Sequence, residues 1–163
     1  MRDYPTNQLD PRVKNVWRIS DAIWIVFTAA VVLGCVQLFR LSPNLEWLAN
    51  ALTLGGGLFF LALLVLFLGV LPQIRYIRWR YEITEDYLDI AKGIVWRSRY
   101  IIPFIRVQNT DTQQGPILRA FGLASVTVST AAGEHVIPGL DFATAEQLRD
   151  RAAELARLAR EDV

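Results

Sequence analysis

Hydrophobic residues are concentrated in two uncharged runs, residues 22–39 and 51–71, ahead of a region that alternates apolar and polar positions. A run of about 20 apolar residues is long enough to cross the hydrocarbon core of a bilayer as a helix. We therefore predict two transmembrane helices at about 20–39 and 50–71, which together form a hairpin over residues 19–71. A cleaved signal peptide is not favoured, because the first run lacks a small-residue cleavage pattern and a second run follows closely.

Basic residues flank the outer ends of the two runs and are nearly absent between them. Those before the first run and after the second are Arg2, Arg12, Lys14, Arg18, Arg75, Arg78 and Arg80. In the connecting segment, residues 40–50, the only basic residue is Arg40. Because Lys and Arg are retained on the cytosolic side, we predict a multi-pass protein of the cell membrane with both termini in the cytosol. Neither run has an ionisable residue in its middle, so we expect an anchor or assembly surface and not a transport pathway.

Small residues at a spacing of four occur in both apolar runs. They are Ala30, Gly34, Ala51 and Gly55. Because small side chains let helix backbones approach closely, this spacing predicts helix packing in the outer half of the bilayer. The alternative is that the three glycines at 55–57 only loosen the second helix.

The N-terminal segment, residues 1–18, also carries a helical pattern. Apolar residues with helical spacing are Leu9, Val13, Val16 and Trp17. With basic residues between them, they predict a cytosolic helix that lies along the membrane interface. The alternative is a plain helical extension of the first span.

From Trp79 onward the hydrophobic period changes to two, which is typical of half-buried strands. The predicted strands cover residues 80–84, 87–91, 94–102, 104–112, 123–130 and 134–137. An amphipathic helix follows, with an apolar stripe at Leu148, Ala152, Leu155 and Ala159. The predicted fold is a membrane α-hairpin plus a mainly-β domain over residues 72–163, in which the C-terminal α-helix covers an antiparallel barrel or bent sheet.

Composition excludes several classes of function. Residues 72–163 contain 12 basic and 12 acidic residues, so a nucleic-acid partner is not expected. The single cysteine, Cys35, and the single histidine, His135, cannot form a metal site of the usual kinds. No phosphate loop, nucleophile elbow or zinc-protease motif is present, so we predict no cofactor and no enzymatic activity.

Several segments resemble the bacterial pleckstrin-homology (PH-like) domain family. They are Arg80-Tyr-Glu-Ile-Thr-Glu-Asp-Tyr-Leu-Asp-Ile, Ile102-Pro-Phe-Ile-Arg-Val-Gln-Asn-Thr-Asp, Gln114-Gly-Pro-Ile-Leu-Arg-Ala-Phe-Gly-Leu-Ala, Val128-Ser-Thr-Ala-Ala-Gly and Ile137-Pro-Gly-Leu. The two spans and the Leu9-Asp-Pro-Arg segment are similar to its YdbS-type membrane-flanked members. The resemblance implies a PH-like barrel or bent sheet closed by the C-terminal helix. It carries no catalytic residue to this chain, because most members of the family are uncharacterised. Eukaryotic PH domains bind phosphoinositides through basic first loops, whereas the matching turn here, residues 84–87, is acidic.

Six arginines are candidates for contact with anionic lipid headgroups. They are Arg75, Arg78, Arg80, Arg97, Arg99 and Arg106. For Arg75 and Arg78 the headgroup interpretation is favoured, because they follow the second span directly. For Arg97 and Arg99 we favour a solvated sheet face paired with acidic neighbours, which are Glu82, Glu85 and Asp89. If the Ile102–Phe104 turn forms a hairpin, Arg99 and Arg106 become cross-strand neighbours.

A neutral β domain on a short tether, with no recognisable chemistry, predicts a membrane-anchored scaffold or assembly module. The expected partners are membrane lipids and either another copy of the chain, as a homo-oligomer, or a second membrane protein. The alternative is a module that responds to anionic lipid through the six arginines.

Overall fold

The computed structural model describes residues 4–161, so Arg2, which enters the charge count above, lies outside the described residues. The chain divides into two compact units. A helical unit comprises residues 17–73, and a β domain comprises residues 74–161 together with residues 4–16.

The helical unit consists of two long helices with irregular ends. Helix α1 (Val13–Val36) continues into two short 3₁₀ turns, Gln37–Leu41 and Pro43–Leu45. Helix α2 (Glu46–Val65) passes through the π-helical segment Leu66–Val70 into helix α3 (Leu71–Arg78). The two continuous helical stretches, Val13–Leu41 and Glu46–Arg78, are each long and apolar enough to cross a membrane.

The π-helical segment has an identifiable cause. Pro72 has no N–H, so the carbonyl of Leu68 lacks its usual i+4 donor. Arg18 of α1 supplies a donor instead, with Nε 2.8 Å from the Leu68 oxygen. The N–H of Leu71 reaches back five residues to Leu66, which widens the turn. Proline therefore shapes this end of the second helix, and the first helix satisfies the carbonyl that proline leaves without a donor.

The two long helices meet at positions that differ from the predicted small-residue pairs. A Cβ built on Gly34 or Gly55 meets no atom within 4 Å, and Ala30 and Ala51 are exposed. The close approach lies one residue further along α2, at Gly56. A Cβ built there is 3.0 Å from Cδ2 of Leu33.

A hydrogen bond also joins the two helices, from Gln37 Nε2 to Thr53 Oγ1 at 3.1 Å. Neighbouring residues of a helix point about 100° apart, so a contact at Gly56 lies on a different face of α2 from Gly55. Gly34 and Gly55 therefore do not bring the two helices of one chain together.

The β domain contains two three-stranded antiparallel sheets. The first is built from β1 (Arg80–Ile83), β2 (Tyr87–Lys92) and β3 (Ser98–Pro103), in that order. The second is built from β4 (Val107–Gln113), β5 (Leu123–Thr130) and β6 (Gly133–Asp141), also in chain order. The short helix α4 (Pro116–Ala120) links β4 to β5, and α5 (Phe142–Glu161) follows β6.

Helix α5 packs on the second sheet through an apolar stripe. Its buried residues are Ala145, Leu148, Ala152, Leu155 and Ala156. Asp141 caps the helix, because its Oδ2 accepts the N–H of Ala143 at 3.2 Å. The predicted architecture, two long apolar helices followed by antiparallel strands and a closing helix, is confirmed.

Three local features depart from the predicted strands. The third strand begins at Ser98 and not at residue 94, because Gly93 turns the chain with φ of +114°. Phe104 leaves the strand path in a 3₁₀ turn that places its ring in the core, at 0% exposure. Strand β6 continues past Pro138 through a β-bulge, in which Ser125 of β5 faces two residues.

The N-terminal segment is part of the β domain, and its described residues before Val13, residues 4–12, contain no separate helix. Asn7 exchanges two backbone hydrogen bonds with Tyr81 of β1, at 3.1 and 3.0 Å. The N–H of Asp10 donates to the carbonyl of Gly139 in the bulge of β6, at 3.0 Å. Leu9 and Val13 are buried in the domain core. The predicted interfacial helix over residues 1–18 thus differs from the structure, in which residues 4–10 are not helical, residues 11–12 form a turn and α1 starts at Val13.

A charged cluster fixes this segment in place. Arg12 donates to both carboxylate oxygens of Asp10 and, through Nη2, to Oδ1 of Asp141 at 2.8 Å. It also donates to the carbonyl of Phe121 at 3.1 Å. The hydrogen bond from Arg12 holds the pKa of Asp10 below its ordinary value. The cluster ties together the N-terminal segment, the α4–β5 connection and the start of α5.

Candidate functional site

The β domain contains a cleft of about 670 Å³, which we name the edge cleft. One wall is β3, an edge strand of the first sheet, and the other includes the start of β4 and the β5–β6 turn. Its lining residues are 99–103, 105–108, 130–132, His135 and Arg160. The cleft therefore lies where the two sheets diverge.

The local sequence explains why the sheets separate at this point. Pro103 ends β3 because it cannot donate a ladder hydrogen bond. The 3₁₀ turn that follows draws Phe104 into the core, and β4 then pairs with β5 instead of with β3. The condition for a cross-strand pair, a hairpin at residues 102–104, is therefore not met. Arg99 and Arg106 are not cross-strand neighbours, although both line the edge cleft.

Aromatic and apolar side chains line the cleft between the sheets. The rings of Tyr100 and His135 lie 4.8 Å apart and bridge β3 to β6. Ile101 and Ile105 remain partly exposed, at 39% and 48%. Partial burial, and to a lesser extent the charge of Lys92, lowers the pKa of His135. The apolar part of the cleft is therefore accessible to a ligand.

The charged groups of the edge cleft all have one sign. Arg99, Arg106 and Arg160 line it, and within residues 4–161 no acidic side chain does so. Arg160, near the end of α5, donates through Nη2 to the carbonyl of Val107. This bond holds the end of the helix against the start of β4. An anionic group is the ligand that such a lining favours.

Arg99 is held by a buried carboxylate. Asp89 is only 2% exposed, and its oxygens accept hydrogen bonds from Nε and Nη2 of Arg99 at 2.6 to 3.1 Å. The pairing is diagonal across the β2–β3 ladder, where Asp89 faces Ile101. The hydrogen bond raises the pKa of Arg99 above its ordinary value. Arg99 thus makes the pairing with an acidic neighbour that the sequence favoured.

A second, smaller cavity of about 90 Å³ lies at the other end of β3, and we name it the basic hollow. Four cations line it, together with Tyr4, Ala91, Gly93 and Ser98; they are Arg78, Lys92, Arg97 and Arg99. Within the described part of the chain, the lining contains no acidic residue. Arg99 lies between the two sites and lines both.

The six predicted headgroup residues therefore do not share one surface. Arg78, Arg97 and Arg99 line the basic hollow, and Arg106 lines the edge cleft. Arg75 is exposed on α3. Arg80 turns back to the carbonyl of Trp79 at 3.0 Å. Their contact with lipid stays a prediction.

Sequence reasoning missed several residues of these sites. Arg160 could not be predicted, because helical periodicity does not show which strand the end of α5 approaches. Tyr100 and His135 are 35 positions apart, and only the divergence of the sheets brings their rings together. Val95 and Trp96 fall in the predicted strand 94–102, whereas in the structure they belong to the loop that precedes β3.

The described residues offer no obvious chemistry. Among residues 4–161, no group of three or more His, Cys, Asp and Glu side chains could hold a metal ion. Gln114 donates to the carbonyl of Leu123 at 2.9 Å, and Asn109 donates to Asp111 at 2.7 Å. These polar residues serve the backbone and one another, which is a structural role.

Comparison with known proteins identifies relatives of this architecture. The family model for the bacterial PH domain matches residues 20–156. The "UPF0699 transmembrane protein YdbS" of Bacillus subtilis (strain 168) is 37% identical over 163 residues, which cover the whole of both chains. No solved structure matches.

Proposed function

The chain belongs to the bacterial PH domain family and is a membrane protein, and from this premise we propose that it is a non-enzymatic, membrane-anchored assembly module. Its edge cleft binds an extended, acidic segment of a protein partner at the same membrane. In the simplest case that partner is a second copy of the chain.

The observation that carries this proposal is the edge of β3 inside the edge cleft. Among the described strands, β3 pairs only with β2, so its other edge offers backbone N–H and C=O groups. An extended segment can add to such an edge as a further strand. Ile101 and Ile105 would take apolar side chains of the segment, and Arg106 and Arg160 would take its carboxylates.

The membrane helices support an anchoring role. Their long apolar windows carry no ionisable residue at the middle, which is the position that transport pathways use. The charge distribution supports a topology with both termini in the cytosol, so the β domain would face cytosolic partners. Only α3 separates the second span from β1, and this short connection keeps the domain close to the bilayer.

Site-specific photocrosslinking in native membranes tests the cleft. A photoreactive residue at Ile101 is expected to yield an adduct with a second protein chain. The matched control is Gln147, an exposed position on α5 outside the cleft. Arg106→Glu should reduce the adduct at Ile101, because it places a negative charge opposite an acidic partner.

The adduct mass separates a second copy from another membrane protein. Equal labelling at Ile101 and Gln147 would contradict the proposal, and so would an adduct that is insensitive to Arg106→Glu.

Binding of anionic lipid is a second candidate function, favoured by the basic hollow. Mass spectrometry of lipids that co-purify with the full chain tests it. We expect enrichment of anionic phospholipid over the bulk membrane, and loss of that enrichment in Arg97→Glu. The full chain is needed, because residues 4–16 belong to the β domain and a fragment of residues 80–163 would lack them. The same lipid profile in both proteins would remove this candidate.

A further inference from the structure

The loop between β2 and β3, residues 93–97, presents two large apolar side chains to its surroundings. Val95 is 83% exposed and Trp96 is 87% exposed. They are the two most exposed large hydrophobic residues in the described part of the chain. Side chains of this kind at a loop tip usually mark an interaction surface.

The conformation of the loop requires glycine at its first position. Gly93 has φ of +114°, a region that other residues rarely adopt. A Cβ at this position would lie 1.8 Å from the carbonyl oxygen of Trp96. The loop therefore folds back tightly on itself, and this fold directs Val95 and Trp96 outward.

The base of the loop is strongly basic. Lys92 and Arg97 bracket it, and both line the basic hollow with Arg78 and Arg99. Within residues 4–161, the hollow has no acidic lining. An apolar loop tip whose base carries the cations Arg78, Lys92 and Arg97 is complementary to an anionic bilayer, which has negative headgroups over an apolar interior.

Chain continuity keeps this site near the membrane. Arg78, which lines the hollow, ends α3, and Leu71 at the start of α3 is the last residue of the second apolar run. Seven helical residues span roughly 10 Å. The chain between the second apolar run and Arg78 is therefore short.

We propose that Val95 and Trp96 insert into the interfacial region of the membrane that anchors the chain, while the cations of the basic hollow contact anionic phospholipid headgroups. Tryptophan suits this depth, because its ring is apolar and its indole N–H can bond to the headgroup layer. The inference extends the second candidate function and does not depend on the edge cleft. Insertion would fix the orientation of the β domain on the bilayer.

Spin-label depth measurements on the full chain in nanodiscs test the inference. Cys35 is the only cysteine, so Cys35→Ser provides a clean background. A label at Val95→Cys is compared with one at Gln147→Cys, in nanodiscs of phosphatidylcholine with and without phosphatidylglycerol. Both positions are exposed, so neither substitution disturbs the core.

The label at position 95 is expected to lose collisions with a water-soluble nickel chelate and to gain collisions with oxygen, relative to position 147. The protection should be greater with phosphatidylglycerol, and Lys92→Glu with Arg97→Glu should remove that increment. Equal nickel collisions at both positions, in both lipids, would overturn insertion. That result would not bear on anionic lipid binding itself, which is measured separately from the lipids that co-purify with the chain. Protection that appears only when another protein is bound would also overturn it.

Discussion

The contact between the N-terminal segment and the bulge of β6 predicts a large effect of Gly139→Ala. Gly139 has φ of +62°, and a Cβ there would lie 2.0 Å from Cγ2 and 2.5 Å from Cβ of Val13. Ordinary carbon–carbon contacts need about 3.5–4 Å, so the segment must move by at least roughly 1.5 Å. That movement would break the hydrogen bond from Asp10 to Gly139 and expose part of Val13.

The magnitude follows from three contributions. A non-glycine residue in the left-handed region costs about 1–2 kcal/mol. Loss of the backbone hydrogen bond costs about 1 kcal/mol. Partial exposure of Val13, which is fully buried in the native domain, costs roughly another 1–2 kcal/mol. We therefore expect Gly139→Ala to reduce the free energy of unfolding of the β domain by about 3–5 kcal/mol.

Gly122→Ala is the matched control. Its φ of +67° carries nearly the same backbone strain, but a Cβ there has its nearest neighbour at 3.6 Å, an ordinary contact. Native-state hydrogen exchange on the full chain in detergent reads the opening of β5 and α5 directly. In a Val13→Ala background, the additional cost of Gly139→Ala should be smaller, by roughly 1 kcal/mol, because the closest clashing atom is absent. The reasoning is refuted if the two glycine variants behave alike, or if Val13→Ala leaves the cost of Gly139→Ala unchanged.

Three further predictions concern the core, the charged cluster and the membrane pair. Phe104→Ala should destabilise the β domain by about 3–5 kcal/mol in thermal unfolding, whereas Ile105→Ala, at a half-exposed position, should stay within about 0.5 kcal/mol; similar melting temperatures would contradict this. Because Arg12 lowers the pKa of Asp10 below 3.8, the stabilisation by Asp10 is complete above that pH and is lost as the pH falls through the lower, folded-state pKa. The difference in melting temperature between wild type and Asp10→Asn should therefore shrink on acidification below pH 3.8, and a constant difference would exclude the mechanism. Gln37→Leu removes the hydrogen bond to the second membrane helix and should weaken the hairpin by only about 0.6 kcal/mol in a steric-trapping assay, so a loss above about 2 kcal/mol would imply a larger role.

Local patterns were sufficient to predict most strands. The predicted strand 123–130 coincides with β5, because its β-branched residues and its flanking glycines are local signals. The alternating pattern did not predict which face of β5 is buried. Ser125 and Thr127 lie on the opposite face from the valines, and yet both are buried. Strand β5 is the central strand of its sheet, and α5 packs against it. Neither feature can be predicted from the sequence of the strand alone.

Long-range packing accounts for what the sequence did not predict. Leu9 and Val13 have a helical spacing, but both are buried in the β domain, where Val13 packs against Gly139 in a β-bulge more than 120 residues away. The pair of Arg99 and Asp89 could be anticipated, because both lie on neighbouring predicted strands. The edge cleft could not be predicted from the sequence, because it forms only where β3 and β4 enter different sheets.

Native mass spectrometry of the full chain, released from membranes in mild detergent, tests the assembly role most directly. The wild-type chain is expected to retain a second protein chain, either another copy or a different membrane protein. The variant Arg106→Glu should lose that chain while the β domain stays folded. A strictly monomeric wild-type protein with no bound partner would contradict the account, and so would an identical complex in the variant.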